Sequence, residues 1–212
     1  MDVFSIRVKT LVVSLNQFTA DPNCYADFGF VVDVSGSVEH HWGRARSFIK
    51  QVVQPINISP TGGRAAIVQF SNRAELMINF SDQTSLTGFE TALDGLDHWG
   101  ATTRIDLGLE TALNEMFQQS NGMRTDVPHN LVLITDGQQV GVNYESFRKR
   151  FNERKIRVVV ILVGNARKDD IRHLVNVETD LYVAKNYEEL VNNEFIQKIT
   201  LCGGNFFFEQ LI

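Results

Sequence analysis

DFGFVVDVSGSVE, residues 27–39, joins two kinds of sequence. Its first part, DFGFVVDV over 27–34, is short and mostly apolar, the pattern of a strand buried on both faces. Its second part sets three small oxygen-bearing side chains, Asp33, Ser35 and Ser37, at alternate positions around Gly36. The strand ends near Val34, so these side chains leave the sheet and enter a loop, where the glycine permits a tight turn. Such a loop can aim alternate side chains at one spot. Three oxygens aimed together suit a hard divalent cation. Taken alone, the pattern equally fits a strand-end aspartate capping a loop, with the serines as turn and helix-cap residues.

Outward from this stretch, strand-like and helix-like segments alternate. Ala45, Phe48, Ile49, Val52 and Val53 fall on one helical face, and Pro55 stops that helix. RAAIVQF (64–70) and AELMINF (74–80) read as a hairpin across Ser71-Asn72-Arg73. Phe89, Ala92, Leu93 and Leu96 mark a short helix, and Leu109, Ala112, Leu113, Met116 and Phe117 another. NLVLITD (130–136) is a second buried strand ending in an aspartate. A charged helix over 143–155 turns Tyr144, Phe147 and Phe151 inward, and IRVVVILVG (156–164) is the most strand-like segment. A helix over 166–175, a strand over 180–184 and a closing helix over 187–199 complete the pattern. Strands alternating with helices imply an α/β fold, doubly wound, with a mostly parallel central sheet and helices on both faces. The hairpin adds one antiparallel edge strand. In such sheets ligands bind beyond the carboxyl ends of the strands, near a topological switch point, where Asp33 and Asp136 both lie.

The 212 residues, 43% of them hydrophobic, suffice for one full core with short tails. A formal charge of −5 with no long basic run argues against nucleic-acid binding. No apolar run approaches the ~20 residues of a membrane helix. The N-terminal stretch carries Arg7 and Lys9 before the short run LVVSL, broken by Asn16 and Gln17. It reads as a degenerate secretory signal or as an irregular N-terminal arm. Two sequons, at Asn57 and Asn79, matter only in a secreted chain. The two cysteines, Cys24 and Cys202, are either separate buried thiols or a disulfide stapling the termini. A loop that long would stabilise by about 4–5 kcal/mol on the chain-entropy account.

Between the two aspartate-ended strands lies WGATTRIDLGLETAL (99–113), a threonine-bearing loop that opens into a helix. Two facing carboxylates without a cation would repel and raise one pKa, and a cation removes that cost. The set of D-x-S-x-S after the first strand, a loop threonine and T-D-G at a later strand end resembles the von Willebrand factor type A domain, the integrin inserted domain included. The resemblance covers about residues 24–202, leaving 1–23 as the arm and 203–212 as a tail. It implies a metal-ion-dependent adhesion site formed by Asp33, Ser35, Ser37, Thr103 and Asp136. Counting back from Gly108-Leu109 selects Thr103, whereas counting forward from Gly100 gives Thr102 as the alternative. The family also places cysteines where Cys24 and Cys202 stand, which implies the disulfide and an extracellular setting.

What the resemblance implies is adhesion, not catalysis. A bound divalent cation, Mg2+ before Mn2+ or Ca2+, would be completed by an acidic residue of a partner such as collagen or another matrix protein. The alternative is an intracellular type A scaffold with reduced cysteines. A haloacid-dehalogenase-like phosphotransferase would need a carboxylate where Ser35 stands. The P-loop and G-x-S-x-G motifs are absent from the sequence. Near the site, Glu39, His40 and His41 read as exposed polar positions, and Trp99 as packing under the threonine loop. Arg104 reads either as a contact for an acidic partner or as solvated. Phe206-Phe207-Phe208 lies in the tail beyond Cys202.

Overall fold

The computed structural model describes residues 25–198, Gln138 and Arg167 excepted. Cys24, Cys202, the N-terminal arm and the tail lie outside the described residues. Six strands form one sheet: β1 (Asp27–Asp33), β2 (Arg64–Phe70), β3 (Ala74–Ile78), β4 (His129–Thr135), β5 (Ile156–Val163) and β6 (Leu181–Ala184). Their order is β3-β2-β1-β4-β5-β6. All neighbours pair in parallel except β2 and β3, the expected antiparallel edge hairpin. β3 stops at Ile78 because Asn79 turns the chain, its Oδ1 accepting from the Ser81 N–H at 3.0 Å.

β1 lies at the centre, and each of its seven residues is buried. Alternation sends its side chains to opposite faces. Phe28, Phe30 and Val32 pack with Phe48, Ile49 and Val52 of α1 (Trp42–Val53), Phe89 and Leu93 of α2 (Leu86–Asp94), and residues of the last two helices. Val31 packs on the other side with Ile105 and Leu109 of α3 (Ile105–Thr111) and Phe147 and Phe151 of α4 (Tyr144–Glu153). Each such large apolar side chain contributes about 1.5–3 kcal/mol by leaving water. Gly29 has no side chain because α3 runs on into a π-turn, Ala112–Met116, whose Met116 Sδ fills the space. A Cβ there would sit 2.2 Å from that sulfur.

Two expected helices are shorter than their spacing suggested. Residues 166–175 give only the single turn α5 (Lys168–Ile171) and a 3-10 turn over Arg172–Leu174. Ile171 and Leu174, three apart and buried, suit that tighter winding. The closing segment is two helices, α6 (Tyr187–Leu190) and α7 (Asn193–Lys198). Asn192 divides them. Its Oδ1 accepts from the Glu194 N–H at 2.8 Å and its carbonyl from the Ile196 N–H at 3.0 Å, so it starts a new helix instead of continuing the old one. No helix among the described residues is long and apolar enough to cross a membrane.

At the amino-terminal ends of the strands, Arg124 closes the sheet. Its Nε donates to Asp27 Oδ1 at 2.8 Å and its Nη1 to the Gly62 carbonyl at 2.9 Å. The carboxyl ends, at the opposite pole, carry the site.

Candidate metal site

The sheet order reverses between β1 and β4, so the loops leaving these neighbours diverge and open a crevice. Asp33 is the last residue of β1, and Asp136 follows the last residue of β4. Beyond Asp33 the chain turns at once. The Ser35 N–H donates to Asp33 Oδ1 at 2.9 Å, and the Ser35 and Ser37 hydroxyls lie 3.3 Å apart. The Ser37 hydroxyl donates to Asp136 Oδ1 at 2.7 Å across 99 residues of sequence. One crevice thus collects Asp33, Ser35, Ser37 and Asp136.

The threonine loop is tied to the first loop on both sides. Gly36 N–H donates to the Ala101 carbonyl at 2.9 Å, and Gly100 N–H to the Val34 carbonyl at 3.0 Å. His98 Nε2 lies 2.8 Å from the Ser35 carbonyl; a carbonyl only accepts, so this nitrogen carries the proton. Gly100 and Ala101 take left-handed φ values of 74° and 73°, and for alanine that conformation costs about 1 kcal/mol or more. The turn they make carries the side chain of Thr103 against Gly137, beside Asp136. A Cβ on Gly137 would lie 2.7 Å from Thr103 Oγ1. Thr102 is exposed to solvent instead.

The contacts that brace the site carried no signal in the sequence. Thr135 donates to Asp33 Oδ2 at 2.5 Å and accepts from Gly137 N–H at 3.1 Å, fixing the carboxylate plane. Tyr187 is buried beside the two site carboxylates, Asp136 and Asp33. Its signal could have been position: it stands three residues past the carboxyl end of β6, as the other site residues stand at strand ends. His41 is half-buried, not freely exposed, because its ring stacks on Tyr187 with centroids 4.7 Å apart and planes within 8°. Glu39 and His40 are exposed as expected. Trp99 packs against the core, with the Arg73 guanidinium 4.4 Å above its ring. Arg104 forks onto Asp106 at 2.8 and 2.7 Å, and Gln139 bridges Asp106 to the β4 loop at 2.8 Å.

The electrostatics follow from burial. Asp33 is almost wholly buried. Desolvation pushes its carboxyl above the ordinary value, Asp136 pushes the same way, and the hydrogen bonds from Ser35 and Thr135 oppose both. Burial also raises the Tyr187 phenol, helped by the charges of Asp136 and Asp33. Among the described residues, no group of three or more His, Cys, Asp or Glu is placed to hold a metal ion. The set here is two carboxylates and three hydroxyls. That donor chemistry fits a hard, oxygen-seeking cation and not a soft one.

A family model described as the von Willebrand factor type A domain matches residues 27–199. The chain belongs to the von Willebrand factor type A domain family. Vitrin of Mus musculus is 26% identical over 156 residues, 73% of this chain and 24% of its own length. The human collagen alpha-6(VI) chain is 24% identical over 202 residues, 94% of this chain and 9% of its own. This type A domain therefore spans a quarter or less of those relatives. Among solved structures, proximal thread matrix protein 1 from the mussel byssus, with a zinc-occupied MIDAS motif, superposes with a TM-score of 0.75 at 25% identity. That match covers 83% of this chain and 45% of the mussel protein. The type A fold is shared, and a collagen chain and a thread matrix protein are among the relatives.

Proposed function

We propose that this type A domain is a cation-dependent adhesion module of the extracellular matrix. In this reading Asp33, Ser35, Ser37, Thr103 and Asp136 hold one divalent cation, with Mg2+ preferred over Mn2+ or Ca2+. When bound, that ion supplies an open coordination position for the carboxylate of a partner protein, such as collagen or another matrix protein. The observation that carries the reading is the meeting of two strand-end carboxylates and two loop serine hydroxyls at the switch point of the sheet, with Ser37 already bonded to Asp136 and Thr103 against the adjoining Gly137. The zinc-occupied motif of the mussel protein supports a divalent cation in such a site.

The chain's own residues hold and orient. Thr135 fixes the Asp33 carboxylate, and His98 and the Gly36–Ala101 bond lock the two loops together. His98 is committed to the Ser35 carbonyl and not to a serine hydroxyl, which supports binding over nucleophilic chemistry. The domain limits of 24–202, secretion and a Cys24–Cys202 disulfide belong to the same proposal; thiol titration without reductant tests the disulfide.

The direct test is calorimetric titration of Mg2+ into the metal-stripped chain beside Asp33→Ala, Thr103→Ala and Thr102→Ala. One saturable site is expected, weakened by the first two changes and kept by the third. A folded chain that takes up no divalent cation overturns the reading.

A further inference from the structure

We infer that Asn79 is a modification site, carrying an N-linked glycan at the outer edge of the sheet; the inference rests on the extracellular reading above. The chain holds two Asn-x-Ser sequons, Asn57-Ile58-Ser59 and Asn79-Phe80-Ser81. The structure separates them. The Asn79 Oδ1 accepts from the Ser81 N–H at 3.0 Å and from the Ser81 hydroxyl at 2.8 Å. The Asn79 N–H donates to Asp82 Oδ2 at 2.9 Å, and its carbonyl accepts from the Asp82 N–H at 3.3 Å. The sequon is thus closed on itself as an Asx turn, with Ser81 and Asp82 exposed to solvent. Each of these bonds spans two or three residues. The turn therefore needs no tertiary structure, and a chain still entering the secretory pathway can form it.

The chemistry asks for a presented carboxamide. Its nitrogen is a weak nucleophile, because the lone pair is shared with the carbonyl, so orientation matters. Both donors from Ser81 hold the oxygen, and among the described residues none accepts from Asn79 Nδ2. That nitrogen bonds to the anomeric carbon of a lipid pyrophosphate-linked oligosaccharide. The bond from that carbon to the pyrophosphate oxygen breaks, the lipid pyrophosphate leaves with the electron pair, and one Nδ2 proton passes to a base of the transferase. Asn57 lacks this arrangement. It is exposed but takes a left-handed φ of 53°, and the Ser59 N–H donates to the Gly63 carbonyl at 3.4 Å, not back to Asn57. Pro60 also biases Ser59 toward extended backbone, which opens the turn. Position favours Asn79 as well. Ile78 faces Ile67, which lies level with Phe30, three residues before Asp33. Asn79 is one residue further, about 13 Å back along the strands from the cation site and on the outermost strand. A glycan there stands clear of the crevice.

The test is to direct the full chain into the secretory pathway of mammalian cells behind a cleavable signal. The secreted product is then treated with peptide N-glycosidase in heavy-oxygen water, which turns each formerly glycosylated asparagine into a labelled aspartate. Peptide mapping should find the label at Asn79 in most molecules and not at Asn57. Asn79→Gln should lose the mobility shift on glycosidase treatment, and Asn57→Gln should keep it. No label at Asn79, or label at Asn57 equal to it, overturns the inference; the wild-type map decides this even if Asn79→Gln is not secreted. Thiol titration of the same material reads Cys24 and Cys202 separately. Two free thiols overturn the extracellular reading itself, and the glycan site falls with it.

Discussion

Gly137→Ala tests the Thr103 assignment without deleting any candidate ligand. A Cβ at 137 would lie 2.7 Å from both Oγ1 and Cγ2 of Thr103 and 3.1 Å from its Cβ. Ordinary contact begins at 3.4 Å, so the threonine must retreat by about 0.7 Å. A β-branched side chain is stiff at χ1, so the retreat falls on the loop backbone, which is tied to Val34 and Gly36. Gly137 does not use a left-handed φ, so alanine adds no backbone strain of its own. The overpacking should cost about 1–3 kcal/mol of stability. The cost in binding should be larger in kind, because Mg2+ holds its oxygens at about 2.0–2.1 Å with little tolerance, and a donor moved by a third of that distance is lost. Calorimetry should therefore show Mg2+ affinity reduced by at least about tenfold in a chain that still melts cooperatively. Gly137→Ala binding Mg2+ as tightly as wild type would refute the reasoning, since the hydroxyl could then be displaced at no cost.

Two further outcomes follow from the same geometry. Asp33 has its carboxyl raised by burial, so ionising it costs the cation-free fold stability as pH rises above the ordinary carboxylate range. That penalty is relieved as pH falls through the raised value. Relative to Asp33→Asn, the cation-free wild type should gain thermal stability on mild acidification, while Mg2+ stabilises it most at neutral pH; parallel pH profiles for the two chains would contradict this. At the other pole, Arg124→Ala strands the buried Asp27 carboxylate, whose side chain is 0% exposed, and should cost about 3–5 kcal/mol in urea denaturation. Asp27 and Asp33 are the two ends of β1, about 20 Å apart, so the folded fraction should keep its Mg2+ affinity.

The sequence by itself determined the sheet and the two aspartates. The short, mostly apolar run DFGFVVD and the apolar run VVVILV of β5 leave few alternatives to a strand, and an aspartate ending such a strand must stand at the edge where loops begin. Ser35 and Ser37 were legible because they are local to Asp33. Helices whose apolar spacing runs for three turns, such as α1, were legible too. Short helices were not: Asn192 and its neighbour Asn193 carry both helix-compatible and capping chemistry, and only the packing of Phe195 and Ile196 against the core selects the break. Tertiary structure also separates Thr103 from Thr102. Both sit in one loop, and the left-handed pair Gly100-Ala101 turns one inward and the other to water. The contacts of Thr135 and His98 lie beyond what the sequence could give. Those contacts span 102 and 63 residues of chain, and no local pattern encodes a contact between segments that meet only when the sheet has formed.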